Sequence, residues 1–135
     1  MAAKDITTAA VLGAGSMGAG IAAHMANAGI KVQLLDLPIE GAEGDERNGR
    51  AQKGIDTQLK RHGFQRPENA ELITPGNTED HLDRLGEVDW IVEAVFEDID
   101  VKRDTFAKVD AHRKPGTPVS SNTSTIPLEV LLLSL

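Results

Sequence analysis

An open, mainly parallel α/β sheet of the doubly wound kind is the fold this sequence predicts, on three observations. A short apolar run, Ile6 to Leu12, breaks at Gly13-Ala14-Gly15; an Ala- and Met-rich stretch, Ser16 to Ala28, follows; a second apolar run, Ile30 to Leu35, closes on Asp36. Strand, turn, helix and strand within about 30 residues form a βαβ unit. Its crossover is right-handed, so the two strands run parallel. Strand and helix patterns then alternate to the end of the chain, as in a parallel sheet covered on both faces.

Each element has its own warrant. In the first helix Met17, Ile21, His24, Met25 and Ala28 recur at spacings of three and four, which predicts a helix, and Gly29 supplies the stop. Residues 40–62 are polar, with Glu43 and Arg47, Glu46 and Arg50, and Asp56 and Lys60 at helical i,i+4 spacing. They predict a second helix, ragged at its start, because its internal glycines each cost about 1 kcal/mol against alanine. His62 to Glu71 reads as a loop or short turn, Leu72-Ile73-Thr74 as a short strand ended by Pro75-Gly76, and Glu79 to Leu85 as a single helical turn. Trp90 to Val95 is the clearest strand of the second half. Asp98 to Arg113 is a helix, acidic in its first turn and basic at its end as the helix dipole favours. Pro118 to Asn122 is a further short strand.

Composition narrows the function. With 135 residues there is room for one domain, 1–135. A total of 14 Lys and Arg against 21 Asp and Glu gives a net charge of −7, which argues against a general nucleic-acid partner. The absence of cysteine excludes a disulfide scaffold and thiol catalysis. No apolar run reaches the length of about 18 residues needed to span a bilayer. The N-terminal stretch lacks the pattern of a signal peptide, so a cytoplasmic setting is expected.

The chemistry lies in Gly13-Ala14-Gly15-Ser16-Met17-Gly18, a G-x-G-x-x-G loop between the first strand and the first helix. Gly13 permits the tight turn, Gly15 lets backbone N–H groups approach a pyrophosphate, and Gly18 allows close helix–strand packing. The helix N-terminus offers partial positive charge to the phosphates. Asp36, 18 residues past Gly18, can accept hydrogen bonds from the adenosine ribose hydroxyls. A carboxylate there repels a 2′-phosphate, and Leu37 and Pro38 offer no arginine to receive one, which favours NAD over NADP as cofactor. The competing readings are a glycine-rich packing turn without ligand and a plain strand-end turn acid. No triphosphate-binding G-x-x-x-x-G-K-[ST] pattern is present. The Rossmann-type arrangement is therefore the specific form of the fold expected.

Four segments in order, GAGSMGAGIAAHMANAG, LLD, DWIVEAVFEDIDVKRDTF and SSNTSTIPL, resemble the NAD-binding domain of the 3-hydroxyacyl-CoA dehydrogenases. RPENAELITPGN is most similar to the bacterial, fatty-acid oxidation branch. The resemblance implies hydride transfer between a 3-hydroxyacyl-CoA substrate and NAD in β-oxidation. It implies that Glu97 contacts the nicotinamide side of the cofactor and that Lys102 lies near it. It implies that Ser124 of the N-T-S motif meets the substrate's 3-oxygen and the cofactor as a catalytic residue, and that Asn122 shapes the same turn. Read without it, Glu97 is a helix N-terminal acid, Lys102 a surface cation and Ser124 an N-cap. The family segment corresponding to residues 40–62 meets CoA, so Lys53, Lys60, Arg61 and Arg66 are candidates for its phosphates.

The same resemblance implies a histidine base oriented by a glutamate downstream of the N-T-S motif, and a helical C-terminal domain. None of His24, His62, His81 and His112 matches that position. The expectation is thus an N-terminal fragment of a longer enzyme, inactive alone, with a homo-oligomer formed through the missing domain or the apolar LLLSL end. The alternative is a stand-alone, non-catalytic NAD(H)-binding module that docks a partner through that end.

Overall fold

A computed structural model describes residues 6–94 and 99–121, without the side chains of 99, 101, 102 and 121. Its strands are β1 (Thr8–Leu12), β2 (Lys31–Asp36), β3 (Ile73–Asn77), β4 (Trp90–Glu93) and β5 (Val119–Ser121), and its α-helices are α1 (Ser16–Asn27), α2 (Gly49–Lys60) and α3 (Ile99–His112). The strands form one sheet in the order β3-β2-β1-β4-β5, and every pairing is parallel. The chain winds outward from β1 to β3, then crosses back to β4 on the other flank of β1. That reversal is the topological switch point beside which ligands of open α/β sheets bind.

Both sheet faces are buried, which is why the strands read as continuous apolar runs. Ala9, Val11, Val32 and Leu34 pack with Ala22, Met25, Ala51 and Ile55 of α1 and α2. Ala10, Leu12, Leu35 and Ile91 face the other way, against Leu82, Leu85, Val88 and Val109. Leu12, Leu34 and Leu35 are fully buried, each contributing about 1.5–3 kcal/mol by leaving water.

The α1 limits agree with the sequence reading, and Gly29, at φ +85°, ends the helix as expected. Its buried face is made of small residues and one methionine. Gly18, Ala19, Ala22, Ala23, Met25 and Ala26 point inward, whereas Met17 is 61% exposed and His24 is exposed. Small side chains let the helix lie close on the sheet, so the larger Met17 is left on the rim.

Other elements depart from these expectations or sharpen them. β3 runs through Pro75-Gly76 to Asn77, with Pro75 opposite Leu34. An edge strand tolerates a proline because its outer side needs no N–H donor. The ragged start of the second helix is a 3-10 turn, Gly44–Asn48, before α2 proper. Arg47 does not pair with Glu43; it reaches across to Glu79 and to Asp80, the latter at 2.8 Å. The segment expected as a loop or short turn at 62–71 leads into a 3-10 helix, Pro67–Leu72, opened by the proline.

Candidate functional site

The glycine loop caps the C-terminal end of β1. Gly13, at φ +104°, turns the chain while its N–H donates to the Leu35 carbonyl at 2.7 Å. A Cβ on Gly18 would lie 1.8 Å from the Gly13 carbonyl oxygen, so α1 can start here only because that position is glycine. Gly15 differs. Its φ of −66° suits any residue, and an added Cβ would meet nothing within 4 Å. The described fold gives no internal reason for glycine at 15, whereas close approach of a ligand does.

Gly15 is the N-cap of α1, and no side chain caps the helix or places an acid in its first turn. This helix end faces a cleft lined by Gly13 to Ala19. A helix N-terminus without a side-chain cap carries partial positive charge and backbone donors, which suits an anionic diphosphate.

Asp36 stands one strand over, at the end of β2. Its carboxylate accepts the Ala14 N–H at 2.8 Å and the Leu37 N–H at 2.6 Å. Both readings of Asp36 therefore have a basis: it ties the glycine loop to β2, and it is held by two backbone donors in the wall of the cleft. Each carboxylate oxygen keeps acceptor capacity for a ribose hydroxyl.

The cleft, about 920 Å³, extends beyond this pair. Arg50, Lys53 and Arg61 line it from α2 and its C-terminal end, and Asp100, Asp104 and Lys108 line it from α3. Of the four cations expected at CoA phosphates, Lys53 and Arg61 line the cleft; Lys60 and Arg66 do not, and Arg50 joins the first two. Gly54, in the sequence only a cost to the helix, has a structural use. A Cβ there would sit 2.8 Å from the Ala14 carbonyl oxygen, so this glycine brings α2 against the nucleotide loop. An isolated glycine in an amphipathic helix is the signal for such an approach.

Of the remaining site candidates, Lys102 lies in the first turns of α3, with its side chain outside the description. Glu97, Asn122 and Ser124 lie outside the described residues. None of His24, His62, His81 and His112 lines the cleft.

A polar knot beneath the cleft fixes α2. Asn77 is fully buried; its amide donates to Asn48 at 2.8 Å and to Asp80 at 3.0 Å, and its oxygen accepts the N–H groups of Glu79 and Asp80. The Asn77 amide, then the Arg47 guanidinium, hold the Asp80 carboxyl below its ordinary value of 3.8. The sign follows: a carboxylate lowered in the folded state adds stability above the ordinary value, and that stability is lost as pH falls through the lowered native value. In thermal melts from about pH 6 to about pH 3, Asp80→Asn should therefore lower Tm at the upper end and leave a smaller gap from the wild type at the lower end. A gap independent of pH would refute the linkage.

The fold and this cleft define a Rossmann-type dinucleotide-binding domain. Comparison with known proteins narrows the class: the family model described as 3-hydroxyacyl-CoA dehydrogenase, NAD binding domain, matches residues 8–135. The chain belongs to this family, and its cofactor is NAD. A protein of Bacillus subtilis called "Probable 3-hydroxyacyl-CoA dehydrogenase" is 45% identical over 93% of the chain, and one of the same description from Deinococcus radiodurans is 44% identical over 93%. The chain spans 18% and 36% of those two proteins. Among solved structures, Mycobacterium tuberculosis FadB2 superposes with a TM-score of 0.74 at 31% identity, over 97% of this chain and 46% of its own. Among the described residues no helix is long and apolar enough to cross a membrane.

Proposed function

We propose that this domain holds NAD(H) for hydride transfer at C3 of a 3-hydroxyacyl-CoA thioester, in keeping with the name "Probable 3-hydroxyacyl-CoA dehydrogenase" that its relatives carry. The observation that carries the reading is one cleft in which the N-terminus of α1, the open Gly15 and the doubly anchored Asp36 are side by side. Gly13 to Gly18 receive the diphosphate on backbone N–H groups, and Asp36 receives the adenosine ribose. When bound, the nicotinamide supplies a hydride acceptor or donor. Glu97 and Lys102 attend its nicotinamide side, and Ser124 hydrogen-bonds the substrate's 3-oxygen. Arg50, Lys53 and Arg61 offer positive charge to the CoA phosphates.

Removing the hydroxyl proton needs a base, for which histidine suits neutral pH. None of the four histidines lines the cleft, which supports a base supplied by a part of the enzyme other than this cleft. The 135-residue chain, mixed with NADH and a 3-ketoacyl-CoA thioester, should bind the nucleotide and leave the absorbance of its reduced nicotinamide unchanged. Steady NADH oxidation would show that the chain contains its own base and would overturn that division of labour.

A further inference from the structure

We propose that Thr78 reads the adenine base of the cofactor through its side-chain hydroxyl. This inference rests on the NAD reading and assigns a contact that the glycine loop and Asp36 leave open. β1, β2 and β3 are consecutive neighbours in the sheet, and their C-terminal ends carry Gly13, Asp36 and Asn77-Thr78. Neighbouring strands lie about 4.8 Å apart. A dinucleotide's diphosphate, ribose and adenine follow one another at a comparable spacing. With the diphosphate over the β1 loop and the ribose at Asp36, the base falls over the end of β3.

Thr78 is placed to meet it. Its backbone N–H donates to the Asp36 carbonyl at 3.0 Å, which fixes it beside the ribose carboxylate, and it lines the same cleft. Its neighbours Asn77, Glu79 and Asp80 bond one another and Arg47. The Thr78 hydroxyl oxygen, by contrast, is shielded from water and has no hydrogen-bond partner among the described residues. A shielded hydroxyl without a partner is costly to keep, and sites that keep one offset the cost elsewhere. The other such oxygen, on Thr117, borders a separate hollow near Ile6 and Lys114. A rotation about χ1 moves a threonine hydroxyl to another staggered position, and contact with the base requires the position in which the oxygen leaves its cover and faces the cleft. A hydroxyl both donates and accepts, matching the ring nitrogens and exocyclic amine of adenine.

The test compares wild type, Thr78→Val and Thr78→Ser by calorimetric titration with NADH and with ADP-ribose, which carries the adenosine but no nicotinamide. Valine preserves shape and the backbone N–H, so the nucleotide-free variant should melt no lower than wild type. It should bind both ligands roughly three- to tenfold more weakly, by a common factor, while serine stays within about twofold. Unchanged binding by Thr78→Val overturns the inference and leaves the NAD reading standing. A loss for NADH alone puts the hydroxyl at the nicotinamide end and overturns it too. A loss shared equally by Thr78→Ser assigns the effect to the missing methyl and likewise overturns the inference. A folded wild-type chain that binds neither ligand overturns the NAD reading and this inference together.

Discussion

Alanine at Gly18 should destabilise the domain severely, while alanine at Gly15 should leave the fold intact and weaken nucleotide binding. The two glycines belong to one motif but answer to different physics. At Gly18 the added methyl would sit 1.8 Å from the Gly13 carbonyl oxygen and 2.8 Å from its carbon, and both contacts are backbone. Relief requires α1 to move away from the β1 turn, which breaks the close packing of Ala19, Ala22 and Ala23 on the sheet. Overpacking against backbone of this kind costs about 3 kcal/mol or more, a fall in Tm of roughly 10 °C. At Gly15 the methyl has room and the backbone is unstrained. Loss of the glycine cap costs under about 1 kcal/mol, yet the methyl occupies the space a diphosphate needs above the helix end. NADH affinity should fall about tenfold or more, which is about 1.4 kcal/mol. Thermal melts and titrations of the two variants separate the effects. A Gly15→Ala chain that binds NADH normally would remove the ligand explanation for that residue.

Asp36→Asn should weaken NADH by about ten- to a hundredfold, the range of a charge-assisted hydrogen bond, while affecting NADPH far less. Asparagine keeps one carbonyl oxygen for the Ala14 or Leu37 N–H, so the link between the glycine loop and β2 is only partly lost. What disappears is the negative charge, and with it the stronger bond to the ribose hydroxyls and the repulsion of a 2′-phosphate. The cations of the cleft sharpen this prediction. With Arg50, Lys53 and Arg61 lining the same cleft, the role proposed for Asp36 includes keeping a phosphorylated ribose out. The ratio of NADPH to NADH affinity should therefore rise in the variant, read by parallel titrations. An unchanged ratio would relegate Asp36 to its turn-tying role.

The nucleotide half of the site is legible in the sequence because each of its residues answers to a local rule. Gly13 is set by a positive φ, Gly18 by contact with a residue five positions earlier, and Asp36 by its place at a strand end. The phase of α1 is not legible. The spacing of Met17 and Met25 predicts a helix without saying which of them is inside; Met25 is buried and Met17 exposed, because the helix sits close to the sheet on alanines. Pro75-Gly76 looks like a strand end, and only the edge position of β3 makes it strand interior. Helical spacing offers Arg47 a local partner in Glu43, yet its actual partners lie 32 and 33 residues away. Gly54, against the Ala14 carbonyl, and Thr78, bonded to the Asp36 carbonyl, owe their places to contacts distant in sequence, of which only the helical glycine leaves a sign in a linear reading.

If this cleft is built for NAD, calorimetric titration of the folded chain with NADH and, separately, NADPH is the most direct test. The expected result is a single site that binds NADH the more tightly. A folded chain that binds neither nucleotide, or that prefers NADPH, would contradict it.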